Sequence, residues 1–314
     1  MWSIVRRFAV IALGVVASWL LVVLVLNLTV YSPARSVQLY LSALEEGRFG
    51  EAAGIAGMSS VPAILPEPSG SLSEPEVVGT RTLASGKVVV LAEYVLQGDT
   101  ESSYFTLEPA GDVLGLFNTW TFSTKPTAAL VYSVIGDERI DVNNVRLSTR
   151  ALGVPPRSTV LVPGVYEASL NTPWVAAPTT LARVTQTEAE YPLRLRVAPT
   201  NELTDTATTA IERYLEGCVA QEILQPIECP FGITIADRVV GVPAWTVLDY
   251  PVVSVTLGAD RESWDVLAIG GVVEVTVSVQ SLFDGSISEY SEIVSFLVEG
   301  SLQGTLIDGP VLTL

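Results

Sequence analysis

Apolar residues run from Phe8 to Val30 without a single charge among them, and Arg6 and Arg7 stand just before the run. Wound as a helix it reaches about 34 Å, against a hydrocarbon core of about 30 Å. The pattern predicts a transmembrane helix over residues 8–30. After it the pattern changes period. Ser32-Pro33 reads as an N-cap followed by a first helical residue, and Val37, Tyr40, Leu41 and Leu44 form the stripe of a half-buried helix that Gly47 stops. Phe49 to Ile55 predicts a further short helical turn, and Val61 to Glu76, rich in Pro, Ser and Gly, a loop. Strands are expected at Val88–Gln97, Ser103–Leu107 and Val113–Phe122, with a Gly98-Asp99 turn between the first two.

From Lys125-Pro126 to Pro199 no helical period is found. Short strands are expected at Leu130–Ile135, Val145–Ser148, Thr159–Val162, Val165–Leu170, Thr180–Thr185 and Leu193–Val197. They are separated by Gly136-Asp137, Asn143-Asn144, Pro155-Pro156 and Pro163-Gly164. A second helix is expected after Pro199, capped by Thr204 or Asp205, with Ala207, Ala210, Ile211, Tyr214, Leu215 and Cys218 on its apolar face. Val273, Val275, Val277 and Val279 then alternate with polar residues as a strand with one wet face. Asp284-Gly285 turns it toward Ile287–Val298, and a short strand around Leu302–Ile307 closes the chain.

The expected fold class is α+β to mainly β. The domain plan is a cytoplasmic tail (1–7), a transmembrane helix (8–30), an α+β domain (31–124), a small β-sandwich-like domain (125–199) and an α+β domain with a disulfide (200–314). Helix followed by sheet occurs twice, with Tyr40-Leu41 and Tyr214-Leu215 in comparable places.

Charge sets the orientation of this plan. Arg6 and Arg7 are the only charges before the span, and positive flanks stay cytoplasmic, so the expectation is a single-pass cell-membrane protein with its bulk extracytoplasmic. A cleaved signal peptide would carry a shorter apolar region and a small-x-small site; Ser32-Pro33-Ala34 has a proline inside it. Asn27-Leu28-Thr29 matches a glycosylation sequon but sits at the membrane edge. The net charge is −17 with Arg6 and Arg7 included, so the part beyond the span is more acidic still. That argues against nucleic acid, which requires clustered Lys and Arg, and against a flat face on anionic headgroups. Positive mean hydropathy implies no further span, because apolar runs elsewhere are eight residues or fewer. Cys218 and Cys229 are the two cysteines. In an oxidising compartment an even count favours a bridge over two buried thiols, and closing so short a loop stabilises by about 3 kcal/mol in the chain-entropy treatment.

Within Ser36 to Ala56, the run Leu41-Ser42-Ala43-Leu44-Glu45-Glu46-Gly47-Arg48-Phe49 resembles the opening helices of nuclear-transport-factor-2-like and cystatin-like cones, which bacteria attach to single membrane anchors. With Pro163-Gly164-Val165-Tyr166-Glu167 in the middle block, the whole plan is similar to the extracytoplasmic part of teicoplanin-resistance-associated membrane proteins. That family carries a cytoplasmic zinc ribbon before its anchor; seven residues precede the span here. The resemblance brings no catalytic residue with it.

Histidine is absent. This removes Ser-His-Asp and Cys-His nucleophile systems and the common zinc hydrolase motifs. No Ser-x-x-Lys precedes Lys87 or Lys125, and Ser85-Gly86-Lys87-Val88 is not a phosphate-cradling loop. Neither cysteine has a base partner. Carboxylates remain. Asp137, Glu138, Asp141 and Asn143 crowd one turn and offer oxygen to a hard cation, though off the calcium-loop spacing and equally readable as a solvated hairpin. Asp260, Glu262 and Asp265 flank Trp264, as in a carbohydrate-facing pair of acids, though Trp264 also suits a core. Trp120, Trp174 and Trp245 suit packing better than a binding stripe.

No catalytic, cofactor-binding or metal-ligating set is therefore expected, only the Cys218–Cys229 pair. The leading expectation is a non-enzymatic envelope protein, partnered by the bilayer through residues 8–30 and by another envelope protein, acting by interaction or as a scaffold. The alternatives are a module holding a small ligand in one of its cones and, last, a carboxylate-dependent hydrolase of envelope polymer.

Overall fold

The uninterrupted apolar run forms helix α1 (Trp2–Leu28). Ser32 then starts α2 (Pro33–Glu45): its hydroxyl accepts the Arg35 N–H at 3.2 Å, and Pro33 fills a first-turn position that needs no donor. The computed structural model describes residues 2–67, 71–149, 155–260, 263–303 and 311–313, with side chains from residue 11 on, Gln303 excepted. By contact density the described chain divides into two compact units. The first holds residues 1–133, 139–168 and 179–194; the second holds 134–138, 169–178 and 195–314. The segment read above as a middle domain is shared between them.

In the first unit α2 buries Val37, Tyr40, Leu41, Ala43 and Leu44, the stripe that its 3.6-residue period predicts. After α3 (Phe49–Ile55) comes an antiparallel sheet of β1 (Leu72–Thr82), β2 (Val88–Leu96), β3 (Asp99–Val113) and β4 (Phe117–Phe122), paired in that order. Along β2, Val88, Val90, Ala92, Tyr94 and Leu96 face the helix while the residues between them face out. Tyr40 fills the space between helix and sheet, its ring edge-on to Phe105 (5.9 Å) and Phe122 (5.2 Å). Its hydroxyl donates to the Val162 carbonyl at 2.7 Å. The Lys125 ammonium donates to the carbonyls of Ala56 (2.9 Å) and Gly57 (2.8 Å), just past the end of α3.

Three sequence expectations are corrected here. The loop expected at 61–76 already contains the start of β1. Pro75 and the register breaks at Ser73/Glu76 and Val77/Gly79 disguise it, and such features are tolerated on an edge strand. The two-residue turn after β2 is Gln97-Gly98, since Leu96 pairs with Asp99. Asp141 does not sit in a turn: β6 (Arg139–Val142) and β7 (Val145–Ser148) form a hairpin about Asn143-Asn144, both at positive φ, as a tight primed turn requires. Before β6 runs β5 (Thr127–Ile135), which pairs with β8 (Arg157–Leu161).

The chain continues through β9 (Gly164–Asn171), β10 (Val175–Val184), β11 (Glu190–Arg196) and β12 (Ala198–Pro199). In the second unit the start of β10 pairs with β12. Helix α4 (Asn201–Val219) begins a turn earlier than expected, because Thr200 and not Thr204 or Asp205 is the cap, its hydroxyl accepting the Leu203 N–H at 3.3 Å. Its buried face is Leu203, Ala207, Ile211, Leu215 and Cys218.

The sheet beneath is built on two long strands. It comprises β13 (Arg238–Val239), β14 (Ala244–Asp249), β15 (Val252–Leu257), β16 (Trp264–Gln280), β17 (Ile287–Gln303) and β18 (Val311–Thr313). β13, β14 and β15 all pair with β16, β16 with β17, and β17 with β18. The expected terminal strand at 302–307 lies mostly outside the described residues; Leu302 belongs to β17. Val273, Val275, Val277 and Val279 are buried as their alternation predicts. Gly271 has no side chain where the Phe296 ring crosses it; a Cβ there would lie 2.4 Å from the ring, so the cross-strand contact needs glycine.

Candidate membrane anchor and interaction surface

α1 is long and apolar enough to cross a membrane, and no residue of its segment Ile11–Leu28 is buried. Arg6 and Arg7 fall where side chains are not described. The C-terminal end of α1 is fastened to the β3–β4 hairpin. Asn27 donates through Nδ2 to the Leu116 carbonyl (2.8 Å) and accepts the Asn118 N–H through Oδ1 (2.8 Å). Four residues on, the Tyr31 carbonyl accepts the Trp120 indole N–H at 3.0 Å, and the Tyr31 ring stacks on Phe117 at 4.6 Å. The asparagine of the sequon is therefore a structural strut. Its motif sits in the last turn of a helix, and its amide is already engaged.

Cys218 and Cys229 stand at disulfide geometry, with Cα atoms 5.8 Å apart, joining the end of α4 to the loop that follows. The same loop is held by Tyr214, whose hydroxyl donates to the Glu228 carbonyl at 2.6 Å, and by the Gln221 amide, which bonds both backbone groups of Ile227. Phe231, which the loop delivers, packs on Trp245 (4.9 Å) and Phe296 (5.3 Å).

Asp141 and Asp260 are each engaged in local contacts. Asp141 is paired bidentately with Arg146 at 2.7 and 2.8 Å, and that guanidinium holds its carboxyl below the usual carboxylate range. Asn143 spends both ends of its amide on backbone: it donates to Leu65 and Val165 and accepts the Glu167 N–H at 2.6 Å. Among the described residues no three of His, Cys, Asp and Glu are grouped to hold a metal. Asp260 accepts the backbone N–H and hydroxyl of Ser263, closing the turn before β16. Trp264 is buried, whereas Asp265, its neighbour on the strand, is exposed on the opposite face. Glu262 lies outside the described residues. Trp245 packs in the core and donates to the Ile223 carbonyl at 2.8 Å; Trp120 and Trp174 are half-buried. Burial raises the Tyr40, Tyr94 and Tyr166 phenols above their ordinary range, and each hydroxyl is spent inside the fold, on the Val162 carbonyl, on Ser103 and on the Leu161 carbonyl. They act as struts.

The second unit exposes a feature that the sequence pattern did not single out. Val252 and Ile269 are cross-strand partners on the face of the sheet turned away from α4, 75% and 52% exposed. Leu297 adjoins them on β17, and Leu267 and Ile293 extend the same uncovered apolar face. The hydrophobic runs Val252-Val253 and Val266–Ile269 carry apolar residues on both faces of their strands. The inward members are expected of any core; the outward ones were the available signal.

Compared with protein-family models, with curated proteins and with solved structures, the chain finds no match.

Proposed function

We propose that this is a membrane-anchored, extracytoplasmic envelope protein that works by binding another protein and performs no catalysis. The observation that carries the reading is the uncovered apolar row of Val252, Ile269 and Leu297, because contiguous exposed apolar surface on a folded domain marks an interaction site. The fastening of Asn27 and Tyr31 to β4 supports α1 as a retained anchor. Cleavage after the apolar run would cut through a bonded junction. A disulfide supports an oxidising compartment for the second unit, and Arg6 and Arg7 before the run support a cytoplasmic N-terminus. The similarity to teicoplanin-resistance-associated membrane proteins fits the same picture. Carriage of a small ligand is disfavoured by the cores, which Tyr40, Phe105 and Phe122 fill in one unit and Phe231, Trp245 and Phe296 in the other.

Two experiments test this. A protease added to cells stripped of outer layers should digest nearly the whole chain; full protection, or a mature protein beginning near Arg35, overturns the anchored reading. A photo-crosslinking residue in place of Leu297 should give a discrete protein adduct in native membranes. The adduct should vanish on adding Ile269→Asp and be absent with the crosslinker at Tyr104. No adduct at 297 overturns the interaction reading.

A further inference from the structure

We propose that the hairpin tip between β3 and β4, residues 113–117, is a second membrane contact: an apolar wedge that enters the outer interface of the bilayer beside α1. The inference rests on the anchored reading above and goes beyond it. Val113-Leu114-Gly115-Leu116-Phe117 is wholly apolar and is bounded by the polar cross-strand pair Asp112 and Asn118. The tip has no core to fill. Leu114 is 84% exposed, and it and Gly115 make the turn at positive φ. A leucine held outward in the left-handed region, where glycine or asparagine is ordinarily found, has no reason in the fold itself.

Depth identifies the occupant. The bonds between α1 and β4 climb in one sense: Asn27 meets Leu116 and Asn118, and Tyr31 meets Phe117 and Trp120. The turn at residues 114–116 is therefore the end of the hairpin directed back along α1 toward its middle. Asn27 lies about 4.5 Å inside the end of the apolar run at Val30. Val113 pairs with Phe117, so Leu114 and Leu116 stand across the turn from each other, and Leu114 lies at about the level of Asn27. At that level the surroundings of the helix are acyl chains and the headgroup boundary. Tyr31 and Trp120 stand at the level above, where aromatic side chains mark the interface. The chain is acidic and Asp112 adjoins the tip, so the attraction is apolar insertion and not headgroup charge. It should survive high salt and not need anionic lipid.

The test uses the full chain reconstituted in phosphatidylcholine vesicles, with and without bromine on the acyl chains. An environment-sensitive fluorophore is placed on Leu114→Cys, on Trp19→Cys within α1, or on Tyr104→Cys on the exposed side of β3. The expected result is quenching by brominated lipid at 114 and 19 but not at 104, unchanged between low and high salt. Quenching at 19 alone, with the label at 114 open to an aqueous quencher, overturns the wedge and leaves the anchor standing. A label at 114 reached by neither quencher is covered by protein and also overturns it. Absence of quenching at 19 overturns the anchored reading and the wedge with it.

Discussion

Each unit lays one amphipathic helix on an antiparallel sheet, but the two fasten the chain beyond the helix by different means. In the first, the Lys125 ammonium holds the carbonyls of Ala56 and Gly57 past the end of α3. In the second, the Cys218–Cys229 bond holds the loop after α4. The cores differ in the same way. Tyr40 of α2 supplies the central ring of the first, whereas α4 contributes aliphatic residues and the rings come from the loop and the sheet as Phe231, Trp245 and Phe296. Tyr214, the counterpart of Tyr40 in sequence, sits at the rim and serves the loop. What the two helices share is the leucine after the tyrosine, Leu41 and Leu215, both fully buried. The echo in the sequence marks where helix meets sheet, while the stabilising detail is local to each unit.

The shared leucines give the largest test. Leu41→Asp and Leu215→Asp each bury an unpaired charge, and each should cost about 4 kcal/mol in denaturant unfolding, followed by Trp120 in the first unit and Trp245 in the second. Ser42→Ala should stay within about 0.5 kcal/mol. If Leu41→Asp is as harmless as that, α2 is a solvated spacer and the comparison collapses. Next, replacing both cysteines by serine should cost about 2–4 kcal/mol and move the Trp245 transition. Two free thiols in a mass spectrum of the protein purified from its native cells would remove the contrast altogether.

Lys125→Gln sharpens the contrast from the other side. Its two charge-assisted bonds are solvent-exposed at the lysine, so about 1 kcal/mol is expected, seen by Trp120 and reduced by salt. A loss equal to that of the disulfide would mean the two fastenings are equivalent. The smallest effect is the Asp141–Arg146 pair. Its carboxyl titrates below the unfolded value of about 3.9, so its contribution is present above that pH and is lost as the pH falls through the lower folded value. Arg146→Ala should flatten that part of the acid limb of stability against pH; an unchanged limb would show the pair contributes nothing.

Elements with strong period were legible in the sequence. α1, the stripe of α2, the alternation of β2 and of Val273 to Val279 follow from apolar spacing alone. β1 was hidden by Pro75 and two register breaks, and the start of α4 by two further good caps, Thr204 and Asp205, inside its own first turns. The outward apolar face of the second sheet escaped for a different reason. Where both faces of a strand are apolar, periodicity cannot say which one meets solvent. The junction at Asn27 was invisible because it depends on backbone groups of Leu116 and Asn118, far along the chain.

That junction has a mechanical meaning. A lone transmembrane helix spins about its own axis, and a domain on a flexible stalk sweeps a volume around its root. With Asn27 and Tyr31 bonded to β4, rotation of α1 turns the sheet with it, and the first unit has no free tether. In the anchored state proposed above, the first unit would explore the plane of the bilayer and little else, and would meet only what is presented at its own height.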